Sequence, residues 1–108
     1  MKRGDLVTVS AAGDYGKPRQ AVVIQSDRLD DNYSVLVCLL SSVERDAPYY
    51  RVPVAPRPAT GLRHPSQIMV DKIVAMKRDK CGEPFGRLDR PTMLALNRVL
   101  ALVTGIAD

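Results

Sequence analysis

Arg19 is the residue of this chain whose type and position point most directly to chemistry. It stands before the apolar run 21–24, and an earlier strand-like segment spans residues 3–9. A guanidinium at the rim of a rigid sheet costs desolvation and adds little to a core, whereas its planar fork suits a phosphate. We therefore interpret Arg19 as part of an anion site. The alternative is a surface arginine paired with Asp5 or Asp27.

The composition supports a polyanionic partner. The 108 residues predict one domain over 1–108, with a formal net charge of +4. Eleven of the 16 basic residues are arginine, which binds phosphate through a bidentate fork. The alternative explanation for the many arginines is a GC-rich genome, which would enrich arginine without any polyanionic partner.

Cysteine, histidine and hydropathy patterns exclude several classes of protein. Cys38 and Cys81 show no Cys-x-x-Cys spacing, and His64 is the only histidine, so we predict no metal site, no cofactor and no disulfide. The run 35–40 is too short to span a bilayer. These features predict free thiols, no membrane segment and a cytoplasmic protein.

The pattern of apolar residues predicts a mainly β protein. Six segments of strand length are bounded by turn-forming residues: 6–10, 21–25, 33–40, 50–54, 68–70 and 73–76. Segment 33–40 is apolar on both faces, which predicts a central strand. Segment 50–54 contains Pro53, which predicts an edge strand, and the proline-rich residues 55–65 predict a surface loop.

A helical pattern follows the strands. Met93, Leu96, Leu100 and Val103 form one apolar stripe, widened by Val99 and Leu102. Asp89 is the predicted N-cap, Pro91 lies in the first turn, and Gly105 ends the helix. Short connections between strands favour an antiparallel sheet, so the predicted fold is a small SH3-like antiparallel β-barrel with a C-terminal α-helix.

These segments, in this order, resemble the MazF/PemK toxins of bacterial toxin–antitoxin modules. The shared features are the Gly4-Asp5 strand, the Arg19 strand, the central segment 35–42, the Val-Asp-Lys-Ile segment 70–73 and the closing helix. The resemblance implies metal-independent cleavage of single-stranded RNA or mRNA by 2′-hydroxyl attack, a homodimer and an acidic antitoxin. It also implies that Ser41 occupies a small-hydroxyl position near the arginine.

Arg19 and Ser41 are accordingly the predicted catalytic residues. Ser41 would donate a hydrogen bond to the phosphate or the leaving oxygen, although a serine at a strand end commonly bonds only its own backbone. Residues predicted to bind RNA are Tyr15, Lys17, Gln20, Ser42, Arg45, Tyr49, Arg51, His64 and Asp71, with Tyr50, Arg57 and Arg63 on the same loops. The alternative to RNA binding is that these residues are simply solvated side chains of surface loops. For Asp71 the alternative is a place in an ordinary turn between two strands.

Two departures from the family pattern keep other functions open. Gln20 replaces the proline that usually follows the arginine, and Met69 replaces an arginine found in some relatives. One alternative is a non-catalytic RNA-binding barrel that has lost its activity, and Gln20 and Met69 would be the signs of that loss. A CcdB-type gyrase poison of the same architecture is the other alternative; the chain ends in Thr104-Gly105-Ile106 but lacks the tryptophan that precedes Gly-Ile in those proteins.

Overall fold

The computed structural model describes residues 1–10, 17–30 and 33–108, and these residues form a curled antiparallel sheet with a C-terminal helix. The elements are β1 (Asp5–Ser10), β2 (Pro18–Val23), β3 (Ser34–Ser41), β4 (Arg51–Val54), β5 (Ser66–Lys77), β6 (Gly86–Arg87) and α1 (Arg90–Thr104), with short 3-10 turns at Asp27–Leu29 and Arg78–Lys80. The predicted fold class is confirmed.

The strand order is β4-β5-β3-β2-β1-β6, and neighbouring strands are antiparallel. The central position of β3 and the edge position of β4 are as predicted. Val35, Val37 and Cys38 of β3 are buried, which explains the apolar character of both its faces. Leu36 is an exception, because 40% of its surface is exposed.

The prediction of two separate strands at 68–70 and 73–76 was wrong, because β5 is continuous. Cys38 of β3 pairs with Ile73, but Leu40 pairs with Ile68, so four residues of β5 face the single residue Leu39. This mismatch is a bulge that absorbs extra residues without ending the strand. Asp71 lies in the bulge with its side chain exposed, and not in a turn.

The loop after β4 closes the sheet against the short strand β6, which the sequence pattern did not predict. The Arg87 backbone N–H donates to the Ala59 carbonyl at 2.9 Å. Thr60 and Leu62 are each 6% exposed, so the prediction that 55–65 is a surface loop was wrong for these two residues. The loop therefore forms part of the barrel wall.

Two apolar clusters lie on opposite faces of the sheet because side chains alternate along each strand. One contains Leu6, Val22, Ile68 and Leu96 and is covered by α1. The other contains Val7, Val9, Ala21, Val23, Val35, Val37 and Met76. Consecutive residues of β1 and β2 therefore serve different faces, which fixes the direction of every polar side chain at the ends of these strands.

Helix α1 has the predicted caps. The Asp89 carboxylate accepts a hydrogen bond from the Thr92 backbone N–H at 2.9 Å, and Gly105 ends the helix in the left-handed conformation. Thr92 hydrogen bonding holds the pKa of Asp89 below its ordinary value. Leu96 is fully buried and Met93, Val99 and Leu100 pack against the core, but Leu102 and Val103 are exposed. The predicted stripe thus covers the sheet only in its first three turns.

Both cysteines are free thiols, as predicted. Burial, followed by the nearby Asp71 carboxylate, raises the pKa of Cys38 to about 12, which makes this thiol unreactive. Burial also raises the pKa of Cys81, whose Sγ contacts the Lys77 carbonyl. No helix among the described residues is long and apolar enough to cross a membrane.

Candidate functional site

An open groove runs along one end of the sheet, where β1, β2 and β3 meet the loop after β4. It consists of adjoining cavities of about 480 and 440 Å³ that share Thr8, Gln20 and Ser42. The larger is completed by Gly61, Arg63, His64, Ser66 and Phe85, and the smaller by Pro18, Arg19 and Leu40. We call this surface the rim groove.

The rim groove is suited to an anion. Arg19 and Arg63 contribute guanidinium groups and His64 an imidazole, while none of its described lining residues carries a carboxylate. Positive groups attract a phosphate more strongly when they line a concave surface that contains no opposing carboxylate. The groove therefore brings together Arg19, Gln20, Ser42, Arg63 and His64, five of the residues predicted from sequence.

Arg19 is half-buried on β2, opposite Val9 of β1. The two carboxylates considered as structural partners both accept hydrogen bonds from backbone groups: Asp5 from the Lys2 N–H at 2.8 Å, and Asp27 from the Arg3 N–H at 2.7 Å. Asp5 also lies at the other end of β1. Arg19 is thus held at the groove end of its strand.

The register of β2 and β3 places Ser41 on the same face as Arg19. The β2–β3 pairing ends at Ala21 and Leu39, and Arg19 and Ser41 each lie two residues beyond that pair, on the strand faces of Ala21 and Leu39. Ser41 does not line either cavity, whereas its neighbour Ser42 lines both. Ser41 Oγ accepts from the Val43 backbone N–H at 3.1 Å and lies 3.4 Å from the Val43 carbonyl. The second contact is at the long limit for a hydroxyl donor, so the hydroxyl hydrogen is weakly held.

A clamp that sequence reasoning missed fixes the segment after Ser41. Gln67 Oε1 accepts from the Arg45 backbone N–H and its Nε2 donates to the Arg45 carbonyl, both at 3.0 Å. Arg51 Nη1 donates to Gln67 Oε1 at 3.0 Å and to the Val43 carbonyl at 3.1 Å. Gln67 pairs with Ser41 across β3 and β5, so the clamp holds the chain where it leaves the groove.

The remaining predicted RNA contacts lie outside the rim groove. Arg45 and Arg51 belong to the clamp, where Arg51 has a structural role, and Lys17, Tyr49 and Asp71 are exposed. Tyr15 falls outside the described residues. Thr8 and Phe85 are groove residues that sequence reasoning missed. Thr8 is the polar residue between two buried valines of β1, and this alternation is a signal that its side chain faces outward. No comparable local pattern marks Phe85.

Metal-ligating side chains do not gather in the described part of the chain. No group of three or more His, Cys, Asp or Glu residues there has the geometry to hold a metal ion. The groove instead offers guanidinium, imidazole, hydroxyl and amide groups, which bind and polarise a phosphodiester through hydrogen bonds.

Comparisons with known proteins agree with this architecture. A probable endoribonuclease MazF of Mycolicibacterium smegmatis is 41% identical over 108 residues, which cover 99% of both chains. A mycobacterial endoribonuclease solved in complex with its cognate antitoxin has a TM-score of 0.81 at 20% identity, covering 98% of this chain and 96% of that one.

Other solved structures share the fold. A Mycobacterium tuberculosis MazF toxin has a TM-score of 0.81 at 18% identity and covers 94% of this chain and 96% of its own. A MazE–MazF structure from Deinococcus radiodurans has a TM-score of 0.76 at 15% identity, covering 98% and 97%. The model of the family described as PemK-like, MazF-like toxin of type II toxin–antitoxin system matches residues 2–104. The resemblance found in the sequence is confirmed, and the chain belongs to this family of toxins.

Proposed function

We propose that this toxin is an endoribonuclease that cleaves single-stranded RNA through attack of a ribose 2′-hydroxyl and without a metal ion. The observation that carries the proposal is that Arg19 and Ser42, the residue after Ser41, line a groove whose described residues include guanidinium and imidazole groups but no carboxylate. The endoribonuclease relative, which matches the chain over its full length, supports the same activity.

The chemistry is a displacement at phosphorus. The 2′-oxygen forms a bond to the phosphorus as its proton leaves, and the bond to the 5′-oxygen of the next nucleotide breaks as that oxygen takes up a proton. The products are a 2′,3′-cyclic phosphate and a free 5′-hydroxyl. Negative charge on the non-bridging oxygens is greatest in the five-coordinate state, so donors placed around those oxygens lower the barrier.

Arg19 and Ser41 supply donors of the required kind. The guanidinium of Arg19 gives two parallel hydrogen bonds to the non-bridging oxygens. Ser41 keeps its hydroxyl in place through the Val43 N–H, and rotation of its weakly held hydrogen lets it donate to the phosphate or the leaving oxygen. Arg63 and His64 bind neighbouring phosphates, and Tyr49 offers an exposed ring for base stacking.

Cleavage should persist in excess chelator and leave a 2′,3′-cyclic phosphate, because the donors of the groove replace the role of a metal. The measurement is incubation of purified protein with a long single-stranded RNA, followed by mass spectrometry of the product ends. An Arg19→Ala preparation purified in parallel controls for contaminating nucleases. Loss of cleavage in chelator, with recovery on adding a divalent ion, would contradict the mechanism.

The toxin should form a homodimer through an apolar surface next to α1. Leu36 of β3, Ile73 of β5 and Ile106 after α1 are exposed and line a cavity of about 350 Å³. Covering such a patch with a second copy removes apolar surface from water. Sedimentation velocity should give twice the monomer mass, and Ile73→Asp should shift the species to monomer; an unchanged dimer in that variant would assign the interface elsewhere.

We also propose that an acidic antitoxin segment occupies the rim groove and displaces RNA in the cytoplasm, where mRNA is present. The mycobacterial structure with its cognate antitoxin supports an antitoxin partner, and the cationic groove supports the acidic chemistry. Competition between labelled RNA and the antitoxin in a binding titration tests this overlap: simultaneous binding of both would contradict it.

A further inference from the structure

We propose that the larger cavity of the rim groove is a nucleobase subsite in which Gln20, supported by Thr8, reads the edge of one RNA base and sets the cleavage preference at that position. The inference rests on the proposed function, since it concerns the same groove, but it concerns base selection and not the chemical step. It assigns Gln20 the role of a specificity-determining residue.

Thr8 and Gln20 form a direct cross-strand pair. They lie opposite one another in β1 and β2, which brings their Cβ atoms within about 5.5 Å, and both side chains are exposed. Neither the Gln20 amide nor the Thr8 hydroxyl donates to or accepts from another side chain or backbone group in the described part of the chain. Two polar side chains are thus presented together, with their hydrogen-bonding groups available to a ligand.

The chemistry of this pair suits a base more than a phosphate. The Gln20 amide offers a donor and an acceptor side by side, which is the pattern that distinguishes the edges of different bases. The Thr8 hydroxyl adds one group that either donates or accepts. Both groups are neutral, so they select by hydrogen-bond pattern and contribute no net attraction to charge.

The shape of the cavity supports the same ligand. Its volume of about 480 Å³ is within the range of small-molecule sites, and Phe85 forms an apolar wall. Phe85 packs against the core and against the backbone of Gly61, where a Cβ would lie 3.1 Å from the ring. Unstacked bases in single-stranded RNA are commonly held against such aromatic walls while their edges are hydrogen-bonded.

The position of the cavity connects base reading to cleavage. It shares Thr8, Gln20 and Ser42 with the smaller cavity, which contains Arg19. Gln20 and Arg19 are consecutive in β2 and both line the smaller cavity at the end of the sheet, so a phosphate at Arg19 and a base at Gln20 belong to neighbouring parts of one bound strand. We therefore expect the base beside the scissile phosphate to be the one that Gln20 reads.

The test compares cleavage-site sequences for the wild type, Gln20→Ala, Gln20→Glu and Thr8→Val, using a random-sequence RNA pool and sequencing of the cleaved 5′ ends. Gln20→Ala should reduce the preference at one nucleotide position by roughly five- to a hundredfold, while the preference at other positions is unchanged. Gln20→Glu, which can only accept, should change which base is preferred there. Ser10→Ala, an exposed position on β1 outside the groove, is the matched control for Thr8→Val.

Binding measurements keep this proposal separate from the proposed function. Fluorescence titrations with short poly(A), poly(C), poly(G) and poly(U) should show a base preference in the wild type that Gln20→Ala loses. If the wild type cleaves no RNA but shows this change in binding, the subsite is supported and the proposed function fails.

Three results would overturn the subsite. One is an unchanged base preference in Gln20→Ala, whether or not its overall rate falls. Another is the absence of any base preference in the wild type in both assays. The third is a Gln20→Ala variant that loses antitoxin binding but keeps its RNA preference, which would assign the cavity to the antitoxin. Thermal melting confirms that each variant is folded.

Discussion

Arg19→Ala and Arg19→Lys should both fold normally yet cleave RNA roughly a hundred- to a thousandfold more slowly in single-turnover assays, because each loses a preorganised donor to the five-coordinate phosphate. Lysine keeps the positive charge but cannot give two parallel hydrogen bonds from a planar fork. RNA binding should therefore weaken much less than cleavage, and least in Arg19→Lys. A loss confined to the chemical step identifies a group acting in the transition state.

The side chain of Arg19 is half-buried, whereas its β2 neighbours Ala21, Val22 and Val23 form the core, so we expect the melting temperature to change little. Arg98→Ala, on the exposed side of α1, is the matched control and should cleave at the native rate. If both Arg19 variants cleave at nearly the native rate, Arg19 is a structural residue and the active site must be sought elsewhere. If binding falls as much as cleavage, its role is to anchor RNA.

Gly86→Ala should lower the free energy of unfolding by about 3 kcal/mol, the upper end of the cost of overpacking, because a Cβ there would collide with the Thr60 carbonyl group. The Ala59 carbonyl oxygen would lie only 2.9 Å away as well. Both neighbours are backbone atoms of the loop that closes the barrel, so neither can turn aside as a flexible side chain would. The expected fall in melting temperature exceeds about 10 °C.

Gly82→Ala is the matched control, because within the described part of the chain its Cβ would meet only the Thr8 carbonyl oxygen, at an ordinary 3.5 Å. We expect this variant to melt within a few degrees of the wild type. The loop displaced in Gly86→Ala leads to Arg63 and His64, so RNA binding should weaken in that variant even where it remains folded. A Gly86→Ala protein as stable as the wild type would show that the loop yields without cost and is not a fixed wall of the barrel.

Local signals along the chain were sufficient for the elements that depend on nearby residues. The caps of α1 follow from Asp89 and Gly105 because capping is a short-range hydrogen-bonding and backbone effect. The central position of β3 follows from apolar residues on both of its faces. The charged pair Asp71-Lys72 predicts a turn between two strands, and only the pairing with β3 shows that β5 continues through it as a bulge.

The sequence by itself determined the fold class, the family and the choice of Arg19 as the leading candidate, because these depend on periodicity, on the order of segments and on the chemistry of one side chain. The tertiary structure alone decided which residues share the groove. Thr8, Gln20, Arg63 and Phe85 come from four distant parts of the chain and meet through strand register and loop closure. The tertiary structure also decided that Arg51 belongs to the Gln67 clamp. The guanidinium of Arg51 donates to the side-chain oxygen of Gln67, which lies 16 residues further along the chain. Contacts of this kind leave no local pattern in the sequence, because the path of the folded chain determines which distant residues come together.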